Sequence, residues 1–232
     1  MRDDLMQAFC DFDGTISTQD VTDMVLERFA LPEWHKVEED WINGRIQASE
    51  CMRRQVALIR AGREALDTFL DKVEIDAHFL DFKRFCLSHD IKLTVVSDGV
   101  DYFIRRVLAK HGMLDIDVIA NRLMIVSEGG ALAFSLAQPY ASKSCHAGSG
   151  VCKCAVVASA GPHFYVGDSR SDFCVAHEAM VVFAKYKLVD YCEGNRIPYV
   201  AYEDFSGVTR TVAALMKEPA WPQQQLPASK SA

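Results

Sequence analysis

Residues 8 to 15 read Ala-Phe-Cys-Asp-Phe-Asp-Gly-Thr, and no other stretch restricts the fold as much. Ala8, Phe9 and Cys10 are apolar, as at the end of a buried strand. Asp11 and Asp13 follow at once, where the strand gives way to a loop, and Gly14 lets the backbone turn sharply. Carboxylates at the carboxyl end of a central strand occupy the place where open α/β sheets bind ligands. Clustered carboxylates repel unless a cation or a proton separates them. Mg2+ is the natural cation for such an oxygen-rich site.

The rest of the chain supplies a sheet for that strand. After a strand over 6–12, helical periodicity runs over 20–30, with Asp20 or Thr18 as its cap. Leu31-Pro32 opens a second helix with Trp34, Val37 and Trp41 on one side, and Asn43-Gly44 breaks it. Helices over 49–59, capped by Ser49, and 64–70 complete a strand-free stretch. Beyond it come a helix over 75–89 and a strand over 91–96 ending in Ser97-Asp98-Gly99. A helix over 102–111, two strand-like runs flanking Asn121 and a hairpin return over 131–136 follow. A polar loop over 137–150 leads to a helix over 152–159 and a strand over 163–166 that ends in Gly167-Asp168-Ser169. Helix 172–178, strand 180–184, helix 187–193, strand 198–202 and helix 205–216 close the pattern. The expected fold is α/β: a Rossmann-like, mostly parallel sheet flanked by helices, with a small all-helical cap inserted after the first strand. The core would span 1–16 and 74–216, the cap 17–73, and a flexible tail 217–232.

Composition narrows the partners. The chain has 232 residues, half of them hydrophobic, and a formal net charge of −7. That is enough chain for a sizeable core, and the acidic balance argues against a nucleic-acid backbone as partner. No apolar run reaches the roughly 18 residues of a membrane span, and Met1-Arg2-Asp3-Asp4 lacks the layout of a signal peptide. A cytoplasmic monomer or homodimer without membrane contact is expected. Its eight cysteines would then stay unpaired.

Each informative motif follows a strand, and parallel strands bring their ends to one edge of a sheet. Asp11 and Asp13, Ser97 and Gly99, Asp168 and Asp172 would therefore meet there, joined by Lys153. This collection suits attack on a phosphate monoester. A carboxylate is a competent nucleophile on phosphorus, Ser97 and backbone N–H groups near Gly99 can hold phosphate oxygens, and Lys153 can neutralise them. A second acid can protonate the leaving alkoxide. The partner is then a small phosphorylated metabolite.

Asp-Phe-Asp-Gly-Thr at 11–15, Ser-Asp-Gly at 97–99, Lys153 and Gly-Asp-Ser-Arg-Ser-Asp at 167–172 resemble, in order, the four motifs of the haloacid-dehalogenase-like hydrolase superfamily over about residues 7–216. The resemblance implies Asp11 as nucleophile, forming an aspartyl-phosphate. It implies Asp13 as general acid/base, and Thr15, Ser97, Gly99 and Lys153 as phosphate-positioning groups. Mg2+ would be held by Asp11, the backbone carbonyl of Asp13 and Asp168, with Asp172 in support. The helical insert resembles the cap of the phosphoserine-phosphatase-like subgroup. Ser97-Asp98-Gly99-Val100-Asp101-Tyr102, Phe183-Ala184-Lys185 and Ile197-Pro198-Tyr199 are similar to the methionine-salvage phosphatase family, which acts on 2-hydroxy-3-keto-5-methylthiopentenyl-1-phosphate.

In phosphoserine phosphatases an acid stands nine residues after the nucleophile, a place held here by Asp20, and a cap arginine reads the substrate's carboxylate. Gln55 falls at that arginine's place, with Arg53 and Arg54 beside it. A one-residue helix shift swings a side chain by about 100°, so these neighbours are poor substitutes. Arg45 is a further cap cation. Phosphoserine hydrolysis, phosphoryl transfer to an alcohol and non-catalytic binding of a phosphometabolite remain alternatives. Cys145, His146, Cys152 and Cys154 can make a tetrahedral zinc site or a reduced cysteine loop beside Lys153.

Overall fold

The computed structural model describes residues 5–128, 131–143, 145, 147–218 and 221. β1 (Gln7–Cys10) pairs in parallel with β2 (Lys92–Val100) on one side and β5 (His163–Gly167) on the other. Beyond β2 come β3 (Asp117–Glu128), parallel to it, and β4 (Ala131–Ala137), antiparallel to β3. Beyond β5 come β6 (Val181–Ala184) and β7 (Val200–Ala201), both parallel. The order is β4-β3-β2-β1-β5-β6-β7, so the acidic motif leaves the middle of the sheet.

Five helices separate β1 from β2, and the first four make up the helical insert: α1 (Val21–Phe29), α2 (Trp34–Ile42), α3 (Ala48–Val56) and α4 (Arg63–Leu70). Asp20 caps α1, its carboxylate accepting the Asp23 N–H at 2.9 Å. Val25, Leu26, Val56, Leu66 and Leu70 are fully buried and continuous with the apolar cluster of the sheet core. The chain enters and leaves the insert through a two-stranded neck. There the Thr18 N–H donates to the Glu74 carbonyl at 3.2 Å and the Asp76 N–H to the Ile16 carbonyl at 2.8 Å, with Ser17 and Ile75 bridged. Ser49 does not cap α3. It lies inside the first turn, its N–H donating to the Gly148 carbonyl at 2.9 Å and its carbonyl accepting from Gln138 Nε2 at 3.0 Å. The cap thus docks on the core where a local cap was expected.

β1 is sandwiched, which explains its unbroken apolar run. Ala8 and Cys10 join a core cluster on one face, Phe9 a separate cluster with Val96, Val157 and Tyr165. On the first face α5 (Phe79–Ser88) meets α9 (Phe205–Leu215), with the Phe205 ring 4.8 Å from Phe79 and 5.0 Å from Phe82. Removing such a ring costs about 3–5 kcal/mol. α6 (Asp101–Lys110) adds Phe103, Ile104 and Val107 to that core. α7 (Lys153–Val157) packs Val157 into the second cluster, and α8 (Lys187–Asn195) packs Leu188 and Cys192 into a third. None of the described helices is long and apolar enough to cross a membrane.

Several local expectations are corrected. β2 continues through Ser97-Asp98-Gly99 to Val100, because the register shifts across the motif and Val100 pairs again with Asn121 of β3. β3 runs unbroken through Asn121. The helix over 75–89 starts only at Phe79, since the Asp76 carboxylate takes the His78 N–H at 2.8 Å in a local turn. Residues 172–178 are not a helix but a 3-10 turn over Arg170–Asp172 followed by turns. A capping box between Ser169 and Asp172 tightens that turn. Of the expected tail, Trp221 is anchored in the core at 8 % exposure, while 219–220 and 222–232 lie outside the described residues.

Candidate active site

Asp11 stands immediately after β1, 3 % exposed. Its Oδ1 accepts the Phe12 N–H at 2.7 Å, and its Oδ2 lies 2.7 Å from Lys153 Nζ. Lys153 opens α7 and is fully buried. The same Nζ reaches Asp172 Oδ1 at 2.6 Å and Ser171 Oγ at 3.0 Å. One ammonium therefore serves two carboxylates. Burial works against the charge on Lys153, but Asp11 and Asp172 overcome it and hold its pKa above the ordinary lysine value. Asp172 is the better served acid. Burial raises its pKa, yet Lys153, the Ser169 N–H and the Tyr165 hydroxyl leave it lowered overall. Burial, with Asp172 and Asp168 nearby, raises Asp11 despite Lys153.

The oxygens of Asp11, Asp168 and Asp172 lie within 4.8 Å of one another, a hard, oxygen-only donor set that fits Mg2+. Within it Asp172 is held by its neighbours. Its Oδ1 takes Lys153 and the Tyr165 hydroxyl (2.5 Å), and its Oδ2 takes the N–H groups of Asp168 (2.9 Å) and Ser169 (3.0 Å). It holds Lys153 and the loop that carries Asp168. Thr15 is occupied by a carboxylate. It is 1 % exposed, and its hydroxyl donates to Asp168 Oδ1 at 2.9 Å. Gly14 has φ +70°, and a Cβ there would sit 2.7 Å from Asp168 Oδ2, so only glycine fits the approach.

Ser97 lines the cavity, its Oγ accepting the Gly99 N–H at 3.0 Å. That N–H is thereby taken, and what Gly99 supplies is space, since a Cβ would collide with the Asp13 carboxylate. Asp13 Oδ1 accepts the Val21 N–H at 2.8 Å. Burial, Asp20 and Asp11 together push its pKa well above the carboxylate range. Asp98 binds the second motif to the lysine loop: its carboxylate accepts from Asn121 Nδ2 (3.2 Å) and from the Val151 N–H (2.9 Å).

Over this floor lies a cavity of about 640 Å³ whose roof is the helical layer. Asp20, Thr22, Asp23, Glu38 and Gln55 form its polar part, and Trp41, Ile46 and Met52 its apolar part. Gln55 is 4 % exposed and donates to Glu38 Oε2 at 2.7 Å. Asp20 opens onto the cavity, and enclosure by protein, with Asp23 beside it, raises its pKa to about 7. The cap arginines are elsewhere. Arg45 pairs with Asp40, Arg54 pairs with Glu50, Arg53 is exposed, and none of the three lines the cavity. Its cations come from the core side: Lys187 and Arg170, the latter with its guanidinium 5.9 Å from the Trp41 ring centre.

Sequence reasoning missed Tyr165, Ser171, Arg170, Asn121 and Glu38. Only Ser171 and Arg170 carried a signal, by lying within the Gly-Asp-Ser-Arg-Ser-Asp run. Of the cysteine group, His146 lies outside the described residues. Cys145 and Cys154 are joined by Cys174, from the turns after Asp172, and the three sulfurs lie within 4.8 Å of one another.

A haloacid dehalogenase-like hydrolase family model matches residues 8–177. The chain belongs to that family. This hydrolase is 28 % identical over 217 residues to a 2-hydroxy-3-keto-5-methylthiopentenyl-1-phosphate phosphatase of Brevibacillus brevis, covering 90 % of this chain and 96 % of that protein. It is 29 % identical over 208 residues to the phosphatase of the same name from Geobacillus thermodenitrificans, covering 86 % and 92 %. In fold, the hydrolase resembles a substrate-bound phosphoserine phosphatase with a TM-score of 0.63 at 17 % identity, covering 89 % of this chain and 98 % of that one. A phosphoserine phosphatase holding a phospho-aspartyl intermediate analogue gives 0.62 at 16 % identity with the same coverage.

Proposed function

We propose that the protein is a Mg2+-dependent phosphatase that hydrolyses a small, carboxylate-free phosphate monoester through an aspartyl-phosphate on Asp11. An enol phosphate of the methionine-salvage type is the substrate its cavity suits best. The observation that carries this reading is the contrast of charge across one cavity. Lys153 answers the nucleophile on the floor, while the roof offers three acids and an amide where a substrate carboxylate would need a cation.

In the first half-reaction an Asp11 oxygen attacks phosphorus, and the bond from phosphorus to the ester oxygen breaks. Asp13, whose pKa its burial and the nearby Asp20 and Asp11 raise, gives a proton to the departing oxygen. In the second, Asp13 takes a proton from water as that water attacks phosphorus, and the acyl-phosphate bond to Asp11 breaks. Lys153 keeps Asp11 oriented, and Ser97 stands where its hydroxyl can donate to a phosphate oxygen. Asp11, the Asp13 carbonyl and Asp168 would hold Mg2+, which when bound shields the substrate's charge from the carboxylates. Trp41, Ile46 and Met52 supply an apolar wall for a thioether tail. Gln55 and Thr22 supply partners for its hydroxyl and carbonyl groups.

The acidic roof also favours a second reading, a leaving group bearing an ammonium. Phosphate release is to be measured on the salvage enol phosphate, phosphocholine, phosphoserine, pyridoxal phosphate and small sugar phosphates, with Mg2+ and with chelator. The enol phosphate is expected to turn over fastest, and chelator to abolish activity. Asp11→Asn is expected to lose about 10⁴-fold or more, the scale for removal of a covalent nucleophile. A preference for phosphoserine sinks the carboxylate-free reading, and an active Asp11→Asn protein sinks the nucleophile.

A further inference from the structure

Four thiols converge behind Lys153, outside the cavity. Cys145 comes from the loop before α7, Cys152 and Cys154 flank Lys153, and Cys174 comes from the turns after Asp172. The sulfurs of Cys145, Cys154 and Cys174 lie within 4.8 Å of one another. Cys152 Sγ is 3.3 Å from Cys154 Sγ, and the Cys152 thiol also neighbours that of Cys145. None of the four is in a disulfide. A tetrahedral zinc ion with Zn–S bonds of about 2.3 Å sets its sulfurs roughly 3.8 Å apart; three of the sulfurs lie within 4.8 Å of one another, and Cys152, outside that group of three, lies 3.3 Å from one of them. The other four cysteines, Cys10, Cys51, Cys86 and Cys192, are all buried, and none belongs to this metal-sized group.

We infer that Cys145, Cys152, Cys154 and Cys174 form a structural zinc site that fastens the lysine loop to the segment following Asp172. The ligand set differs from the one expected from sequence, with Cys174 in place of His146. A site closed by four thiolates has no open position for substrate, which makes it structural. Its placement gives it a consequence for the active site. Two ligands bracket Lys153, and a third lies two residues beyond Asp172, so the ion crosslinks the two segments whose side chains meet at Asp11. Zinc uptake releases the thiol protons to solvent. The inference is independent of the substrate and of the Mg2+ reading.

The test uses the untagged full chain, purified with reductant and without chelator. Elemental analysis is expected to find one zinc per chain. Replacement by Co2+ is expected to give the thiolate-to-cobalt charge-transfer absorption of a tetrahedral sulfur site, which carboxylate-bound cobalt lacks. Cys174→Ser is expected to weaken zinc binding by more than the roughly 10–100-fold that loss of an outer partner costs, and Cys192→Ser to leave it unchanged. Circular dichroism checks that the variants fold; if Cys174→Ser does not, Cys145→Ser, in the loop, carries the same test. A reduced chain with no zinc and no charge-transfer band overturns the inference. So does a band indifferent to both substitutions, or a chain whose thiols are found joined as a disulfide.

Discussion

The floor and the roof of the cavity are both acidic, but they handle their charge in opposite ways. On the floor, Asp11 and Asp172 share Lys153, Asp168 takes the Thr15 hydroxyl, and Asp172 takes two backbone N–H groups and Tyr165. On the roof, Asp20, Asp23 and Glu38 have no cap cation in the cavity beside them, and Glu38 is met by the amide of Gln55. The difference separates two tasks. A floor with fixed counter-charges is preorganised for a dianion and a metal. In the proposed reading, a roof of acids and apolar rings without a cap cation selects what the phosphate is attached to, and would disfavour carboxylates.

The comparison breaks most visibly at Lys153. Lys153→Met leaves two buried carboxylates facing one another, and removing one partner of a buried pair costs about 3–5 kcal/mol. The urea midpoint of the metal-free chain is expected to fall accordingly. An unchanged midpoint would mean that the floor is not held by this ammonium. Adding back the double substitution Lys153→Met with Asp172→Asn is expected to recover part of the loss, because the repulsion is then relieved.

A cation introduced into the roof sharpens the contrast. Gln55→Arg is expected to raise kcat/KM for phosphoserine relative to the enol phosphate by roughly 10- to 100-fold, the worth of one charged hydrogen bond. Equal effects on both substrates would show that position 55 does not face the leaving group.

The smallest effect is a pH dependence. Asp20, at about 7, and Asp168, at about 6, are raised above the ordinary value by burial and by neighbouring acids. The folded chain then holds protons that the unfolded chain has released, so stability is lost as pH rises from about 4 toward 7. In chelator, the urea midpoint is expected to be higher at pH 5 than at pH 8. Asp20→Asn should narrow that gap, and saturating Mg2+ should narrow it through the floor acids. A gap that Asp20→Asn leaves untouched assigns the dependence to the floor alone.

Much of this arrangement was legible in the chain. The apolar run before Asp11, the alternation of strand and helix after residue 75 and the punctuation by Asn43-Gly44 are local signals, written in adjacent residues. The order of the strand-end motifs was legible for the same reason. The register argument that put Gln55 where a cap arginine was sought also agrees with its place on the cavity wall. Other features were out of reach. Ser49 looked like a cap because its partners, Gly148 and Gln138, are some ninety or more residues away. Nothing in the residues around Thr15 says that its hydroxyl meets Asp168, 153 residues on. The arginines at 45, 53 and 54 looked available because nothing in a helical wheel says which face a cap turns toward the core.

The sequence by itself determined the α/β class, the helical insert and the chemical identity of the groups at the strand ends, since periodicity and turn chemistry act over a few residues. The tertiary structure alone decided that Asp172 holds Lys153 as well as the metal loop, that Cys174 joins the thiols around that lysine, and that the cavity roof is acidic. Those outcomes depend on contacts between segments far apart in the chain. They are fixed by strand order and helix docking, because a pairwise electrostatic or coordination energy exists only once folding has brought its partners within a few ångströms.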